Sequence, residues 1–428
     1  MAGSLRAVLL GTFTLRFATG LTGTLIFYYL ADLPEFGGVA VTAFTAGVIA
    51  ALDYAAELIG SPFFGWLSDR IGAHRVMQPG PLFGAGAVVA TAFTISVPLL
   101  ALYRFIEGLS AAASVPSVLG YIALATSGDQ ALRGRVVARF EAATLVGIGL
   151  GVVAAGFLYS PLGTTAFLVN AGVYGISFLI FRYGVADLTD RHLAESDPAL
   201  GDRPGLGAYR QVLTNPAVWL LAPTWIVLNA ILGAWSTQTV FQLVERDPSL
   251  PEFPDQTLMA GLEPWQVSLA LGLLLGVFFV GLFYWGSRFR RFRRTTIIAF
   301  GLGGGLVFMV TLLALNHSAG WPGAVQLALT AIALGGLFVL AGATPAAIGL
   351  LADVSEGFPG QRGMIMGLYS VFLAIGQISG SVLAGAAAHW RGLDGMLVAS
   401  IGLLLLAMIP IGQLRMVEHR LPTGEPVS

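Results

Sequence analysis

The stretch Gly65-Trp-Leu-Ser-Asp69-Arg70-Ile-Gly72-Ala-His74-Arg75 separates two long apolar runs, at about residues 39–67 and 76–97. Each run is long enough to cross a bilayer as a helix, which takes about 20 residues. Gly72 permits a tight reversal of the chain, and Gly65 permits a close approach between helices. The stretch therefore predicts two membrane-spanning helices joined by a short polar loop.

The composition extends this prediction to the whole chain of 428 residues. It is 56% hydrophobic and 11% charged, whereas soluble proteins carry about 25% charged residues. Twelve spans of about 20 to 25 residues would use roughly 240 to 300 residues, so we expect no separate soluble domain. A net charge of -1 argues against a nucleic-acid partner, whose phosphates require a cationic surface.

Apolar runs between charged or Pro/Gly breaks predict twelve spans. They lie near 7–31, 39–67, 76–97, 99–127, 136–159, 164–186, 216–243, 264–286, 295–316, 323–352, 362–388 and 392–414. The first run is too long for a cleaved signal peptide, so we expect it to be retained. We predict a first six-helix bundle over residues 1–186, a polar cytoplasmic linker over 187–215, and a second six-helix bundle with a short tail over 216–428.

The positions of the arginines predict the orientation, because basic residues are retained on the cytoplasmic side of a membrane. All 22 basic residues are Arg. With the N-terminus inside, 18 of them fall in cytoplasmic segments and only Arg246 and Arg391 fall outside, while Arg16 and Arg104 lie within spans. We therefore expect a multi-pass plasma-membrane protein, in a bacterium an inner-membrane protein, with both termini in the cytoplasm.

Two motifs resemble the major facilitator superfamily. Residues 65–75 resemble its G-x-L-x-D-R-x-G-x-x-R loop signature, although Ala73 and His74 stand where the family often has basic residues. Arg104-Phe-Ile-Glu107-Gly108 resembles the R-x-x-x-G motif of its proton-coupled members. The resemblance implies an all-α membrane protein of twelve transmembrane helices in two pseudo-symmetric six-helix bundles, which transports a solute by alternating access.

The two halves of the sequence echo each other, as is usual in secondary transporters. An Arg-Gly pair opens the span after the fourth span, at Arg133, and again after the tenth span, at Arg362. Asp69 can accept hydrogen bonds from a neighbouring Arg or from a helix N-terminus, which would form a latch when the cytoplasmic side is shut. We predict a cytoplasmic gate composed of Gly65, Asp69, Arg70, Gly72, Arg75, Arg133 and Arg362; an ordinary capped loop is the alternative.

Charged residues within the predicted spans are the candidates for proton coupling. Ionised groups in hydrocarbon are costly and normally face a bundle interior. Asp53 and Glu57 share one helix face, and two neighbouring carboxylates disfavour double ionisation, so one of them can carry a proton. The predicted coupling residues are Asp53, Glu57, Arg104 and Glu107. Two alternatives stay open: a structural ion-pair network, including a local Arg104–Glu107 pair, and an anion site formed by Arg16 and Arg104.

The second half offers neutral polar and aromatic residues at mid-span depth, which suits an apolar substrate. The predicted substrate cavity comprises Arg16, Asn229, Trp235, Gln238, Tyr369 and Gln377; interhelical hydrogen bonding is the alternative role. The fifth span, Gly147-Ile-Gly149-Leu-Gly151-Val-Val-Ala-Ala-Gly156, resembles the glycine-rich antiporter motif without its central Pro, and close helix packing explains it equally well.

The residues and the resemblance together predict a proton-coupled secondary transporter of a small lipophilic or drug-like solute, and the resemblance implies that it exports this solute. We expect protons and membrane lipids as the other partners and a monomer as the functional unit. The alternative substrate is an organic anion or lipid-like amphiphile that contacts Arg16 and Arg104. A membrane-embedded enzyme or receptor is a further alternative, but no catalytic signature is visible. The five histidines show no metal spacing, so we expect no metal site and no cofactor.

Overall fold

The structure, a computed structural model, describes residues 2–188, 216–244, 253–259, 261–288, 291–356 and 362–417. Within these ranges, side chains are described except at residues 2, 216–221, 351–369, 416 and 417. Most of the predicted linker, residues 189–215, lies outside the described residues.

The fold is built from α-helices. The first half contains α1 (Ala2–Ala31), α2 (Ala43–Ile71), α3 (Ala73–Met77), α4 (Pro79–Ala92), α5 (Val97–Ala125), α6 (Gln130–Leu162) and α7 (Thr165–Leu179), which continues as a π-helical turn over Ile180–Gly184. The second half contains α8 (Pro216–Leu243), α9 (Pro264–Gly286), α10 (Arg294–Asn316), α11 (Gly323–Leu340), α12 (Ala343–Glu356) and α13 (Arg362–Val417).

Each of the twelve predicted spans corresponds to helix in the structure. The tenth is divided into α11 and α12, and α13 contains two spans separated by non-helical backbone at Arg391 and Gly392. Within the described residues, nine helical stretches are long and apolar enough to cross a membrane, and one of them, Ser370–Arg415, is 46 residues long and holds two spans. The prediction of a twelve-span helical fold is confirmed.

Local sequence signals set several helix ends. Thr42 accepts a hydrogen bond from the Thr45 backbone N–H at the start of α2, and Asp129 accepts one from Leu132 at the start of α6. Gly72 ends α2 with φ 97°, a conformation that is strained for residues with a Cβ atom. The predicted tight reversal at Gly72 is therefore present. The predicted close helix approach at Gly65 is not, because a Cβ atom there would lie 3.9 Å from Pro116, an ordinary contact distance.

The helix ends form two loop faces. We call one the arginine-rich face; it holds the start of α1, the α2–α4 connection and the α5–α6 connection, with Arg6, Arg70, Arg75 and Arg133. The opposite, arginine-poor face holds the end of α1, the start of α2 and the start of α9. Hydrogen bonds between segments distant in sequence join loops on the same face, as in Tyr29 Oη to the Thr94 carbonyl oxygen at 2.8 Å.

Among the described residues, hydrogen bonds between the two halves cluster near the arginine-poor face. Tyr28 Oη donates to the Pro264 carbonyl oxygen at 3.1 Å, and the Gly156 backbone N–H donates to Ser268 Oγ at 2.8 Å. Gln238 Nε2 donates to the Ala43 carbonyl oxygen at 3.0 Å. These contacts hold the two halves together on this face.

Glycines allow these helices to approach closely. A Cβ atom at Gly147 would lie 2.8 Å from the Phe13 carbonyl oxygen, and one at Gly151 would clash with that of Phe17, so α6 lies directly against α1. A Cβ atom at Gly156, farther along α6, would likewise clash with the Pro264 carbonyl group of the second half, so the backbones lie close together there too. The glycine-rich fifth span thus serves close helix packing.

Candidate functional site

A buried ion-pair network around Arg104 lies inside the first half. Arg104 Nη2 is 3.1 Å from Asp53 Oδ2, and Arg104 Nη1 pairs with Glu107 Oε2. Tyr174 Oη donates to the second carboxylate oxygen, Glu107 Oε1, at 2.8 Å. Arg104 is only 7% exposed and Glu107 3%, so the network is shielded by protein.

Three helices position these groups. Arg104 and Glu107 lie one turn apart on α5, so both face α2 and α7. A Cβ atom at Gly108 would clash with the Asp53 carbonyl oxygen, which shows how closely α5 and α2 approach here. On α7, Asn170 Nδ2 donates to the Ala18 carbonyl oxygen at 3.0 Å and fixes the helix that carries Tyr174.

The network carries unequal charges. Two carboxylates share one guanidinium group, so full ionisation leaves one excess negative charge in a buried site. Such a charge is costly away from water, and one proton on Asp53 or Glu107 removes it. The local pair of Arg104 with Glu107, considered from the sequence, is present, and Asp53 pairs with the same Arg104 from the neighbouring helix α2.

A second group of charges surrounds Arg16 on α1. Arg16 interacts electrostatically with Asp53, Glu57 and Glu141. Within the described part of the chain, Arg16 forms no ion pair of 4.0 Å or less, so the pairing with Glu57 considered from the sequence is not a direct contact. Glu57 is half-buried and Glu141 is exposed.

Glu141 was not among the residues predicted for the site. It lies on α6, five residues into the predicted fifth span, which begins at residue 136. Its position inside that span was the available signal, because a carboxylate in a membrane span is a functional candidate by default.

The predicted cavity residues of the second half occupy varied positions. The Trp235 ring lies 5.1 Å from the Phe308 ring. Gln238 is fully buried and holds α8 against α2, while Asn229 Nδ2 donates to the Trp225 carbonyl oxygen within α8. Gln377 packs its backbone against Gly233, and the side chain of Tyr369 lies outside the described residues.

The predicted gate residues lie at the arginine-rich face. Asp69 and Arg70 are exposed, and the Arg70 guanidinium lies 4.1 Å from the Trp66 ring centre. Arg75 Nε is 3.8 Å from Asp187 Oδ2, and Arg133 Nη2 donates to the Ala123 carbonyl oxygen at 3.1 Å. None of these contacts reaches the second bundle, although Asp187 belongs to the predicted linker. The side chain of Arg362 lies outside the described residues.

Burial lowers the pKa of His74, beside Arg75, and the nearby Asp187 carboxylate partly opposes this effect. Gln78 Nε2 lies 3.1 Å from His74 Nε2 and 3.0 Å from the His74 carbonyl oxygen. A neutral imidazole therefore stands at the position where a basic residue was expected from the loop signature.

The apolar helical bundle with its buried ionic network has the architecture of a polytopic membrane protein. A family model described as Major Facilitator Superfamily matches residues 8–262. The chain belongs to the major facilitator superfamily, a family of transporters rather than of enzymes.

Curated relatives and solved structures agree with this family. Multidrug resistance protein MdtG of Escherichia coli O1:K1 / APEC, and the same protein of strain K12 / DH10B, are 26% identical over 163 residues, which is 38% of this chain and 39% of theirs. The match thus spans about two fifths of the curated relatives' length. The crystal structure of the nucleoside transporter NupG superposes with a TM-score of 0.70 at 13% identity, covering 97% of this chain and 98% of that one, and a mutant of NupG gives 0.69 at 96% and 99%. These structures share its fold.

Proposed function

We propose that this protein is a proton-coupled secondary transporter that exports a small lipophilic or drug-like solute by alternating access. The observation that carries the proposal is the buried Arg104 guanidinium shared by Asp53 and Glu107. Protonation changes the net charge of this network by one unit, and a change of that size in a low-dielectric interior is strong enough to bias a conformational equilibrium.

In this proposal each residue of the network has a separate role. Asp53 and Glu107 exchange the proton, Arg104 holds the remaining carboxylate, and Tyr174 orients Glu107 by its hydrogen bond at 2.8 Å. Because the groups lie on α2, α5 and α7, proton loading alters the attraction between these helices. The half-buried Glu57 stands on the same helix as Asp53 and links the network to the charges around Arg16.

The closed arginine-poor face gives the proposed transport cycle its starting state. With the arginine-rich face in the cytoplasm, as the positive-inside rule implies, the structure is shut toward the outside. The substrate then enters from the cytoplasm or the inner leaflet, and the gate residues at the arginine-rich face close behind it. The name of the relative MdtG, a multidrug resistance protein, supports export of drug-like compounds.

The geometry disfavours the alternative of an anionic substrate. Among the described residues, Arg16 has no carboxylate within 4.0 Å, whereas Arg104 is occupied by two carboxylates. A guanidinium in such surroundings attracts a further anion poorly, because the carboxylates already offset its charge. A neutral or apolar substrate therefore fits the surroundings of Arg104 better, and the partly exposed Trp235 ring supplies aromatic surface in the second half.

The proposal is tested in proteoliposomes with an imposed pH gradient and a panel of fluorescent lipophilic compounds. Glu107→Gln should abolish gradient-driven transport and leave substrate exchange intact, because it leaves Arg104 and Asp53 as a neutral pair. Asp53→Asn should do the same. Glu35→Gln, an exposed residue at the arginine-poor face, is the matched control. Unchanged gradient-driven transport in both core variants would remove this network from proton coupling.

A further inference from the structure

Three metal-ligating side chains converge at the arginine-poor face of the second half, far from Arg104 in sequence and in the opposite half. Asp255 belongs to the loop before α9, His317 follows the last residue of α10, and Asp394 begins the second segment of α13. One ligand atom of each residue lies within 4.8 Å of the other two. The group could not be recognised from the sequence, because its members are separated by 62 and 77 positions.

Asp394 is held in a fixed orientation. Asn316 Nδ2 donates to Asp394 Oδ1 at 2.8 Å, and His317 Nε2 lies 2.8 Å from Asp394 Oδ2. The Asp394 backbone N–H donates to Gln256 Oε1 at 3.2 Å, and Gln256 Nε2 donates to the Arg391 carbonyl oxygen at 2.9 Å. The bonds from Asn316 and Gln256 are outer hydrogen bonds of the kind that characteristically orient metal ligands. The contact between His317 and Asp394 joins two of the three side chains directly, and these two atoms would have to separate slightly to share an ion.

The charges around the group leave room for a cation. The charged and titratable side chains described here are Asp255, Asp394, His317 and Arg391, whose Nη2 lies 3.1 Å from Asp255 Oδ2. With a neutral imidazole, their sum is one negative charge. Arg391 contacts only one oxygen of Asp255, so the other remains available as a ligand.

We propose that Asp255, His317 and Asp394 form a binding site for a divalent transition-metal ion of the Zn²⁺ type. One imidazole nitrogen and two carboxylate oxygens, with water in the fourth position, are a ligand set that Zn²⁺ accepts. Ligand atoms of a tetrahedral site lie about 3.4 Å apart. Asp255 is exposed and stands on a loop, so it is the ligand that moves inward to close the site.

A metal ion at this position would restrain the loop that precedes α9. The loop of residues 253–259 leads directly into α9, where the Pro264 carbonyl oxygen accepts the hydrogen bond from Tyr28 of the first half. An ion that ties Asp255 to α10 and α13 fixes the loop from which this inter-half contact extends. This inference is independent of the substrate and of proton coupling.

Titration of purified, tag-free protein with Zn²⁺ and with Co²⁺ tests the site. We expect one saturable site for Zn²⁺ by calorimetry and, for Co²⁺, visible absorption bands of inner-sphere nitrogen and oxygen ligation. Asp255→Asn should weaken Zn²⁺ binding by at least about tenfold, since even the loss of an outer partner costs about 10- to 100-fold. Because Asp255 is exposed, we expect this variant to fold normally. His317→Gln should weaken Zn²⁺ binding to a similar extent.

The control is His389→Gln, an exposed histidine outside the group, which should bind Zn²⁺ like the wild type. Binding should weaken on acidification, because protons compete with the metal ion for its ligand atoms. Equal Zn²⁺ affinity in the wild type and Asp255→Asn would assign the metal to surface histidines and overturn the proposal. Absence of saturable binding to the folded wild type would overturn it too, and would leave the group as an ion-pair clasp.

Discussion

At the scale of single residues, Arg104 is the charge on which the first half depends. It is buried, and it neutralises carboxylates on its own helix and on α2. A buried ion pair adds little net stability when it is intact, because desolvation offsets the attraction, but loss of one partner strands an uncompensated charge. The effect of removing Arg104 should therefore depend on whether its two partners are ionised.

Arg104→Ala should destabilise the protein by about 3 to 5 kcal/mol near neutral pH, the usual cost of breaking a buried pair. Thermal unfolding of the purified protein measures this loss. The triple variant that adds Asp53→Asn and Glu107→Gln should recover most of it, and acidification should partly rescue Arg104→Ala by protonating the carboxylates.

Arg391→Ala is the control for this experiment, since its pairing with Asp255 is exposed and should contribute only about 0 to 1 kcal/mol. If Arg104→Ala is no more destabilising than Arg391→Ala, the buried network does not stabilise the first half as described.

For single residues, the sequence predicted contacts only between side chains that are neighbours on the same helix. The i, i+3 spacing of Arg104 and Glu107 predicts their pair, and the intramembrane position of Asp53 predicts that it needs a partner. Which residue becomes that partner depends on the contact between α2 and α5 at Gly108. Helical periodicity carries no information about such contacts, and the proximity of His317 to Asp394 escaped prediction for the same reason.

At the scale of elements, the short helix α3 fixes the connection between α2 and α4. His74 on α3 is buried, and Asp187 lies 4.0 Å from its Nδ1 atom. Burial holds the pKa of His74 below its ordinary value. The folded protein therefore binds a proton at His74 less readily than the unfolded chain does.

The free energy of unfolding should thus fall on acidification. The stabilising effect of the neutral imidazole is fully present above the ordinary histidine pKa of about 6.5 and is lost as the pH falls through the lower pKa of the folded state. His74→Gln should show a smaller decrease in melting temperature between about pH 7 and pH 5 than the wild type. The exposed His389→Gln should retain the wild-type decrease; equal pH profiles for wild type and His74→Gln would contradict the prediction.

Helices themselves were well predicted, because length and hydropathy determine whether a segment spans a bilayer. The break that divides α13 at Arg391 and Gly392 lies within one residue of the predicted gap between the eleventh and twelfth spans, since Gly392 was predicted to begin the twelfth span. The division of the tenth span into α11 and α12 was not predicted, since residues 341–342 form a turn within a continuous apolar run.

At the scale of the whole molecule, the two halves meet near the arginine-poor face through small residues and backbone carbonyl groups. The family resemblance implied two six-helix bundles and alternating access. The sequence did not indicate which face is shut, because both states of an alternating-access protein are compatible with one sequence and differ by a few kcal/mol. In the structure, the backbone of Gly156 packs closely against the Pro264 carbonyl group, and Tyr28 Oη donates a hydrogen bond to the same carbonyl oxygen.

Gly156→Val should shift the population away from the state that is closed at the arginine-poor face. The new side chain would clash with the Pro264 carbonyl group, a contact made only while the halves are together there. A bias of about 1.4 kcal/mol changes the ratio of the two states tenfold. Since the chain contains no native cysteine, spin labels on cysteines introduced at the exposed positions Leu162 and Leu269 report the distance between α6 and α9.

The expected result is a larger fraction of long distances in Gly156→Val than in the labelled protein without that substitution. Gly276→Ala is the matched control, because it also places a side chain on a membrane helix but meets no atom within 4 Å, and it should leave the distances unchanged. Identical distributions for Gly156→Val and this control would show that the contact between Gly156 and Pro264 does not hold the face closed. A shift in Gly156→Val alone would establish that close backbone packing, rather than an ion pair, keeps this side of the transporter shut.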